Sequence, residues 1–378
     1  MKNAELERVS ILLEQASSPE EVFGQLPGTS TEKLAAARKV FLRIAKIVHP
    51  DTNEGTDDSQ KAEKAFKQLA LHWEIAQKKI STGTYGKVET AGTFIPFTIQ
   101  TPDCTYALES LLSRGDLCNL YVGSATSAKD KKRVLLKVAI RPRDNDLVAN
   151  EGRILRHLSA ADNYEDARHF ASQLVAAFVY EERATGIVRQ ITVLKYVGGL
   201  FSLKEVKETY PQGIDSRDMA WIWRRLLVAL DFAHSNKVMH GAVLPTHVLL
   251  HPQRHGVVLI DWSYAVLNPA VTHAWISALN AGYRAWYPAE VFAREEPRPG
   301  LDIYMASKCM IELLGGDPQQ QTMPDSIPWQ LQNHLKGCLL PLPHQRLQDA
   351  SVLLQEFDEL LERLWGPRKF HPFSMPQR

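Results

Sequence analysis

From Asp215 to Ser263 the chain sets out, in fixed order, an apolar-periodic helix, a polar loop, a short buried strand and a carboxylate. The helix is carried by residues 226–235, rich in leucine and alanine, and runs directly into the loop Val238–Leu250, VMHGAVLPTHVLL. The strand, Val257-Val258-Leu259-Ile260, is a continuous run of aliphatic and β-branched residues that ends on Asp261. Four ordered signals constrain the fold more than any one motif could. Upstream, Leu120–Gly123 and Val134–Ile140 are likewise strand-like, with turn-forming residues between them, and predict a hairpin with a third strand.

A chain of 378 residues exceeds one ordinary core, so a small domain plus a large one is expected. With 44% hydrophobic and 23% charged residues the composition is globular. Lys plus Arg (44) nearly cancel Asp plus Glu (43), so no global field attracts nucleic acid or an anionic membrane, and neither is expected as a partner. Cys104, Cys118, Cys309 and Cys338 form no Cys-x-x-Cys pair, which argues against a zinc site or a disulfide framework. The N-terminus carries charges throughout, and no stretch reaches the roughly 18 apolar residues of a spanning helix. A cytoplasmic location is expected.

In the first ninety residues, Leu34, Ala37, Phe41, Ile44 and Val48 fall on one stripe of a helix over 31–48. Lys39, Arg43 and Lys46 share another side and form a compact positive ridge. A second helix over about 59–80 has Ala62, Phe66, Leu69, Trp73, Ala76 and Ile80 in register, so two antiparallel helices would zip along these stripes. Between them stands His49-Pro50-Asp51, where the proline stops the helix and Gly55 suits the turn. With its helical context, this segment (about residues 18–85) resembles a J-domain, the first helix being represented by Glu21-Val22-Phe23. The resemblance implies docking on a DnaK-class chaperone and stimulation of its ATPase through His49, Pro50, Asp51, Lys39, Arg43 and Lys46. Taken without the resemblance, Pro50 ends a helix, Asp51 caps a turn and the cations form a solvated face.

From about Ala107 to Trp365 the chain resembles the protein-kinase fold. The resemblance matches Lys137 to the strand lysine that holds ATP phosphates, Glu151 to its helix partner, and Asp261 to the aspartate that holds Mg²⁺. It also matches Tyr287–Glu290 to the end of the activation segment, Asp302 to the helix anchor and Arg346 to the late structural arginine. The expected architecture is therefore multidomain. A small all-α J-domain (1–88) and a linker (89–103) precede an α+β bilobal kinase-like domain (104–378).

The departures decide the expected function. Where the family has His-Arg-Asp-Leu-Lys-Pro-x-Asn, this chain has His240, Gly241, Ala242, Val243, Leu244, Pro245, Thr246 and His247. Ala242 stands at the base, and losing such a group costs on the order of 100- to 10,000-fold in rate. Leu244 removes a cation, and His247 replaces an oxygen ligand of a hard ion. In 112–118 only Gly115 remains of a glycine-rich loop, which disfavours close backbone approach to phosphates. What survives for nucleotide is Gly115, Lys137, Glu151 and Asp261, with Asp261 alone for Mg²⁺. Equally, Lys137 and Glu151 can serve as a structural ion pair beside an empty cleft. The expectation is a cochaperone with a catalytically impaired kinase-like module that binds a protein client and, in one form, ATP and Mg²⁺. The alternatives are an atypical protein or small-molecule kinase using Asp231 or His247 as base, and a non-catalytic scaffold.

Overall fold

The structure, a computed structural model, describes residues 2–16, 18–49, 59–81, 83, 85–86, 94, 96–162, 167–182 and 186–376. Pro50 and Asp51, and with them two thirds of the tripeptide motif, lie outside the described residues, as does most of 89–96. The chain divides into two compact units, Met1–Val148 with Phe178–Ile191, and Ala149–Ala177 with Thr192–Arg378. The N-terminal helices and most of the sheet share the first unit.

The first unit opens with helices α1 (Lys2–Gln15), α2 (Pro19–Phe23), α3 (Ser30–Val48) and α4 (Ser59–Ser81). Helix α3 starts where Thr29 and Glu32 close a capping box, with Thr29 N donating to Glu32 Oε2 at 2.7 Å. Its buried stripe, Ala37, Ile44 and Val48, meets Ala62, Leu69, Ala76 and Ile80 of α4. Phe41 and Phe23 flank the Trp73 ring at 5.2 and 6.0 Å. Each fully buried Val, Leu or Ile side chain contributes about 1.5–3 kcal/mol here.

Three details differ from the periodic reading. Leu34, near the start of α3, stays 37% exposed. Ala65 and His72 are buried although they lie off the stripe, because α1 packs on α4 as well as α3 does and widens its covered face. The expected first helix is only the short α2, whose Val22 and Phe23 are buried, while the longer α1 supplies Leu6, Leu13 and Ala16 to the same core.

The sheet contains β1 (Phe97–Gln100), β2 (Thr105–Arg114), β3 (Cys118–Thr126), β4 (Lys131–Ala139), β5 (Leu174–Glu181) and β6 (Val188–Lys195), in the order β1-β2-β3-β4-β6-β5. Strands β1 to β4 pair antiparallel in sequence order, so the hairpin and third strand fall where the β-branched runs predict them. Strand β1 falls within residues 89–103. Its Ile99, opposite Tyr106, is 2% exposed, and the Thr101 N–H closes the following turn on Cys104 O at 2.9 Å.

Helix α5 (Asn145–Ser159) leads into the second unit. There β7 (Phe201–Ser202) and α6 (Leu203–Thr209) precede α7 (Ser216–Ser235), followed by β8 (Val238–Met239), β9 (Val248–His251), β10 (Gly256–Leu259) and β11 (Val266–Leu267). Helices α8 (Pro299–Leu313), α9 (Trp329–Gly337) and α10 (Ala350–Trp365) complete it. Helix α7 is the hub. Asp215 caps it, its Trp223, Leu226, Leu227 and Leu230 are fully buried, and α8, α10 and β10 all pack on it. Among the described residues no helix is long and apolar enough to cross a membrane.

Candidate functional site

The loop that follows α7 is held by one carboxylate. Asp302 of α8 is fully buried. Its Oδ2 accepts the His240 N–H at 2.8 Å and lies 2.9 Å from His234 Nε2, while its Oδ1 accepts the Gly241 N–H at 2.8 Å. Burial alone would raise its pKa, but the hydrogen bond and charge of His234, with the two N–H donors, overcome this and hold it below the usual carboxylate range. Gly241 adopts φ +73°, and a Cβ there would come within 3.0 Å of Tyr264 O, so the loop needs glycine at that point.

Two histidines face inward from this loop. His240 accepts the Ala242 N–H at Nδ1 (3.3 Å) and points Nε2 at Ile260 O (3.0 Å), which fixes the neutral tautomer protonated on Nε2. Its burial pushes the pKa down to about 4. His247 places Nδ1 2.8 Å from Ala242 O and Nε2 3.3 Å from Asp261 Oδ2. Both ring nitrogens thus face oxygens, one of the backbone and one of a carboxylate. Asp261 follows β10 in a left-handed conformation, φ +63°, and its side chain is 23% exposed.

Ala242 and Leu244 are both fully buried, so the expected base position carries a methyl group in the core. The other base considered, Asp231, has Asp349 and His234 as its electrostatic neighbours, and burial, then Asp349, raises its pKa. It is part of α7's own surroundings and not of the loop.

Helix α5 is stitched to the segment after Asp261. Glu151, fully buried, accepts the Trp262 N–H at Oε1 (3.2 Å), and Asn150 Nδ2 donates to Ser263 O (3.1 Å) and Ala265 O (2.9 Å). The second unit therefore brings His240, His247, Asp261 and Glu151 into one connected cluster. Lys137, on β4 opposite Leu120, is 4% exposed and belongs to the first unit. Gly115 lies in the β2–β3 turn, where a Cβ would meet Cys118 O at 2.8 Å. Hairpin closure explains that glycine without any phosphate.

Further along the chain, residues 287–290 are anchored by a buried arginine. Glu290 and Arg346 form a buried ion pair, with Arg346 Nη2 3.3 Å from Glu290 Oε2, and the guanidinium lies 4.5 Å over the Tyr304 ring. Lys308, which the sequence reading passed over, is also buried and donates to Ala285 O (2.9 Å) and Gln319 Oε1 (3.1 Å). His234 was likewise missed, although its place at the end of α7, beside the loop, was the available signal.

In the first unit, Lys39, Arg43 and Lys46 are exposed on α3, away from the buried stripe. His49 ends α3 with its ring edge-on to Phe66 of α4, centroids 5.0 Å apart.

The donor set at Asp261 fits Mg²⁺ poorly. A hard ion that seeks oxygen finds one carboxylate, already against an imidazole, and a nitrogen where a second oxygen ligand is needed.

Comparison with known proteins gives kinases. The chain is 22% identical over 204 residues to a serine/threonine-protein kinase stk11 homolog of Dictyostelium discoideum, covering 54% of this chain and 28% of that protein. It is 24% identical over 163 residues to casein kinase II subunit alpha' of Saccharomyces cerevisiae, 42% of each chain. It is 29% identical over 127 residues to serine/threonine-protein kinase PAK 1 of Mus musculus, 33% of this chain and 22% of that protein. The chain carries a protein-kinase-like domain. It spans less than half the length of these relatives. No protein-family model matches the chain.

Proposed function

We propose that this protein is a cochaperone in which a J-domain-like helical region recruits and stimulates a DnaK-class chaperone ATPase, and the kinase-like domain binds a client instead of phosphorylating it. The observation that carries the second half is the loop itself. Ala242 offers no proton acceptor, and His247 sits on the carboxylate that would hold the metal. Loss of a base and of a metal site removes both proton transfer and charge neutralisation from phosphoryl transfer. The kinase relatives make ATP and Mg²⁺ the cofactors to test. Lys137 is the residue that would hold phosphates, while Asp261 would have to exchange His247 for the ion.

The first half rests on the paired helices α3 and α4, the exposed cations Lys39, Arg43 and Lys46, and His49 packed on Phe66 at the start of the intervening loop. A localised positive ridge on a rigid helix is suited to an acidic surface on the chaperone.

Steady-state ATP hydrolysis by a purified DnaK-class chaperone, with and without this chain, tests both halves. The expected result is stimulation that His49→Gln abolishes, with no turnover by the chain alone. Absence of stimulation would overturn the cochaperone reading, and Asp261-dependent hydrolysis by the chain alone would restore the kinase-like domain as an enzyme.

A further inference from the structure

A groove of about 890 Å³ opens in the second unit between α7, α10 and the C-terminal segment, toward the upper end of the roughly 300–1,000 Å³ that ligand sites occupy. The chain builds one wall by folding its own end back. After the turn at Gly366, φ +73°, Phe370 stacks on His255 at 4.3 Å, and His255 stacks on Trp221 at 4.2 Å with planes 9° apart. His371 Nδ1 lies 2.7 Å from Asp218 Oδ1, and Tyr210 donates its hydroxyl to Ser374 O at 2.6 Å. Phe373 is buried edge-on to Trp221. These ties make residues 366–374 a fixed wall.

Two properties of the groove define its occupant. Phe370, the last ring of the three-ring stack, is 68% exposed and offers an aromatic platform. The lining also holds Arg217, Arg224, Arg225, Arg368 and Lys369, five cations, against Asp358, Glu359 and Glu362, three anions, an excess of two positive charges. Asp358 is shared between Arg224 and Arg368, and Arg217 lies 5.0 Å over the Trp365 ring. Arg225 and Lys369 are exposed on the same groove.

We propose that this groove docks an acidic peptide segment of a partner protein, with an aromatic side chain seated on Phe370 and carboxylates facing Arg225 and Lys369. An aromatic anchor beside localised cations supplies both packing and charge complementarity. A nucleic acid would also stack and bring charge, but Glu359 and Glu362, which line the same groove from α10, oppose a continuous phosphate backbone. A peptide places its charge only where cations await it. The site is separate from the loop of Ala242 and does not depend on chaperone stimulation.

Fluorescence anisotropy of the full chain with a short fluorescein-labelled peptide of alternating Glu and Phe tests this, beside the same peptide with Lys for Glu and a labelled oligo-uridine. The Glu-Phe peptide is expected to bind, to weaken as salt rises, and to lose about tenfold or more in affinity in the double variant Arg225→Glu, Lys369→Glu. Phe370→Ala is expected to weaken it independently. All three side chains are exposed, so an unchanged melting temperature checks that the variants fold. Equal binding of the Lys peptide, binding insensitive to these variants, or no binding up to about 1 mM peptide overturns the proposal. Preference for oligo-uridine also overturns it and makes the groove a nucleic-acid surface.

Discussion

His247 Nε2 lies 3.3 Å from Asp261 Oδ2, so the carboxylate that follows β10 is turned to a side chain of the loop that precedes β9. The contact forms between the two ends of the β9–β10 hairpin, since His247 directly precedes β9 and Asp261 comes two residues after β10. The hairpin register thus sets the distance. His247→Asn removes the imidazole and returns an oxygen to this position. With ATP present, Mg²⁺ is expected to leave the melting temperature of the wild-type protein unchanged and to raise that of His247→Asn by about 3 °C. Equal shifts in both proteins would mean that His247 does not govern the metal position.

Asp302 carries the loop's geometry. Asp302→Asn keeps the volume but loses one acceptor and the charge, leaving at least one of the His240 and Gly241 N–H groups and the His234 ring short of a partner in a buried site. A stability loss of about 3 kcal/mol or more is expected by urea unfolding. A loss under about 1 kcal/mol would show that solvent or a rearranged loop satisfies those groups.

Some of this was legible in the sequence and some was not. Ala242, Leu244 and His247 were readable because a loop between helix and strand keeps its positions in linear order. The pairing of His247 with Asp261 was not, since it depends on how a hairpin folds back. Strand β1 escaped notice because four residues are too few to show a period, and its partner β2 is what makes it a strand. Ala65 and His72 read as the flank of α4's stripe, and only the packing of α1 buries them. The groove joins α7 to a segment more than 130 residues later in the chain, between Asn236 at the end of α7 and Phe370, a separation at which local pattern carries no information.

Two rings in the second unit set its acid sensitivity. Burial pushes His240 and His334 down to about 4, and Trp223 Nε1 donates to His334 Nε2 at 3.1 Å, a bond only the unprotonated nitrogen accepts. With folded values below the unfolded value near 6.5, the unfolded chain binds more protons in between. Stability is therefore complete above about pH 6.5 and falls as pH drops toward 4. Asp302, held below the carboxylate range, loses its contribution only at more acid pH, so it does not enter this window. Unfolding free energy is expected to drop by about 3–4 kcal/mol from pH 7 to pH 5 through these two rings, and His334→Gln should remove close to half of the drop. A flat profile between these values would refute the neutral assignment of both rings.

His72 makes a parallel case in the first unit. It is 1% exposed in the core of α1, α3 and α4, where the Leu13 backbone is the polar group set against its ring and, among the described residues, neither ring nitrogen reaches a partner at full hydrogen-bonding geometry. Burial lowers its pKa, with the field of Glu21 and the Leu13 backbone opposing, so the ring is neutral when folded and carries the cost of burying polar atoms that are poorly met. His72→Leu substitutes an apolar group of similar size and is expected to stabilise the helices by about 1–2 kcal/mol at pH 7. The gain should grow at pH 5, because the unfolded histidine then takes up a proton that the leucine cannot. Amide hydrogen exchange of α1 and α4 reads this directly, with slower exchange in the variant at both pH values and the larger difference at the lower one. Faster exchange in His72→Leu at pH 7 would show that the imidazole contributes a polar interaction to this core that leucine cannot replace.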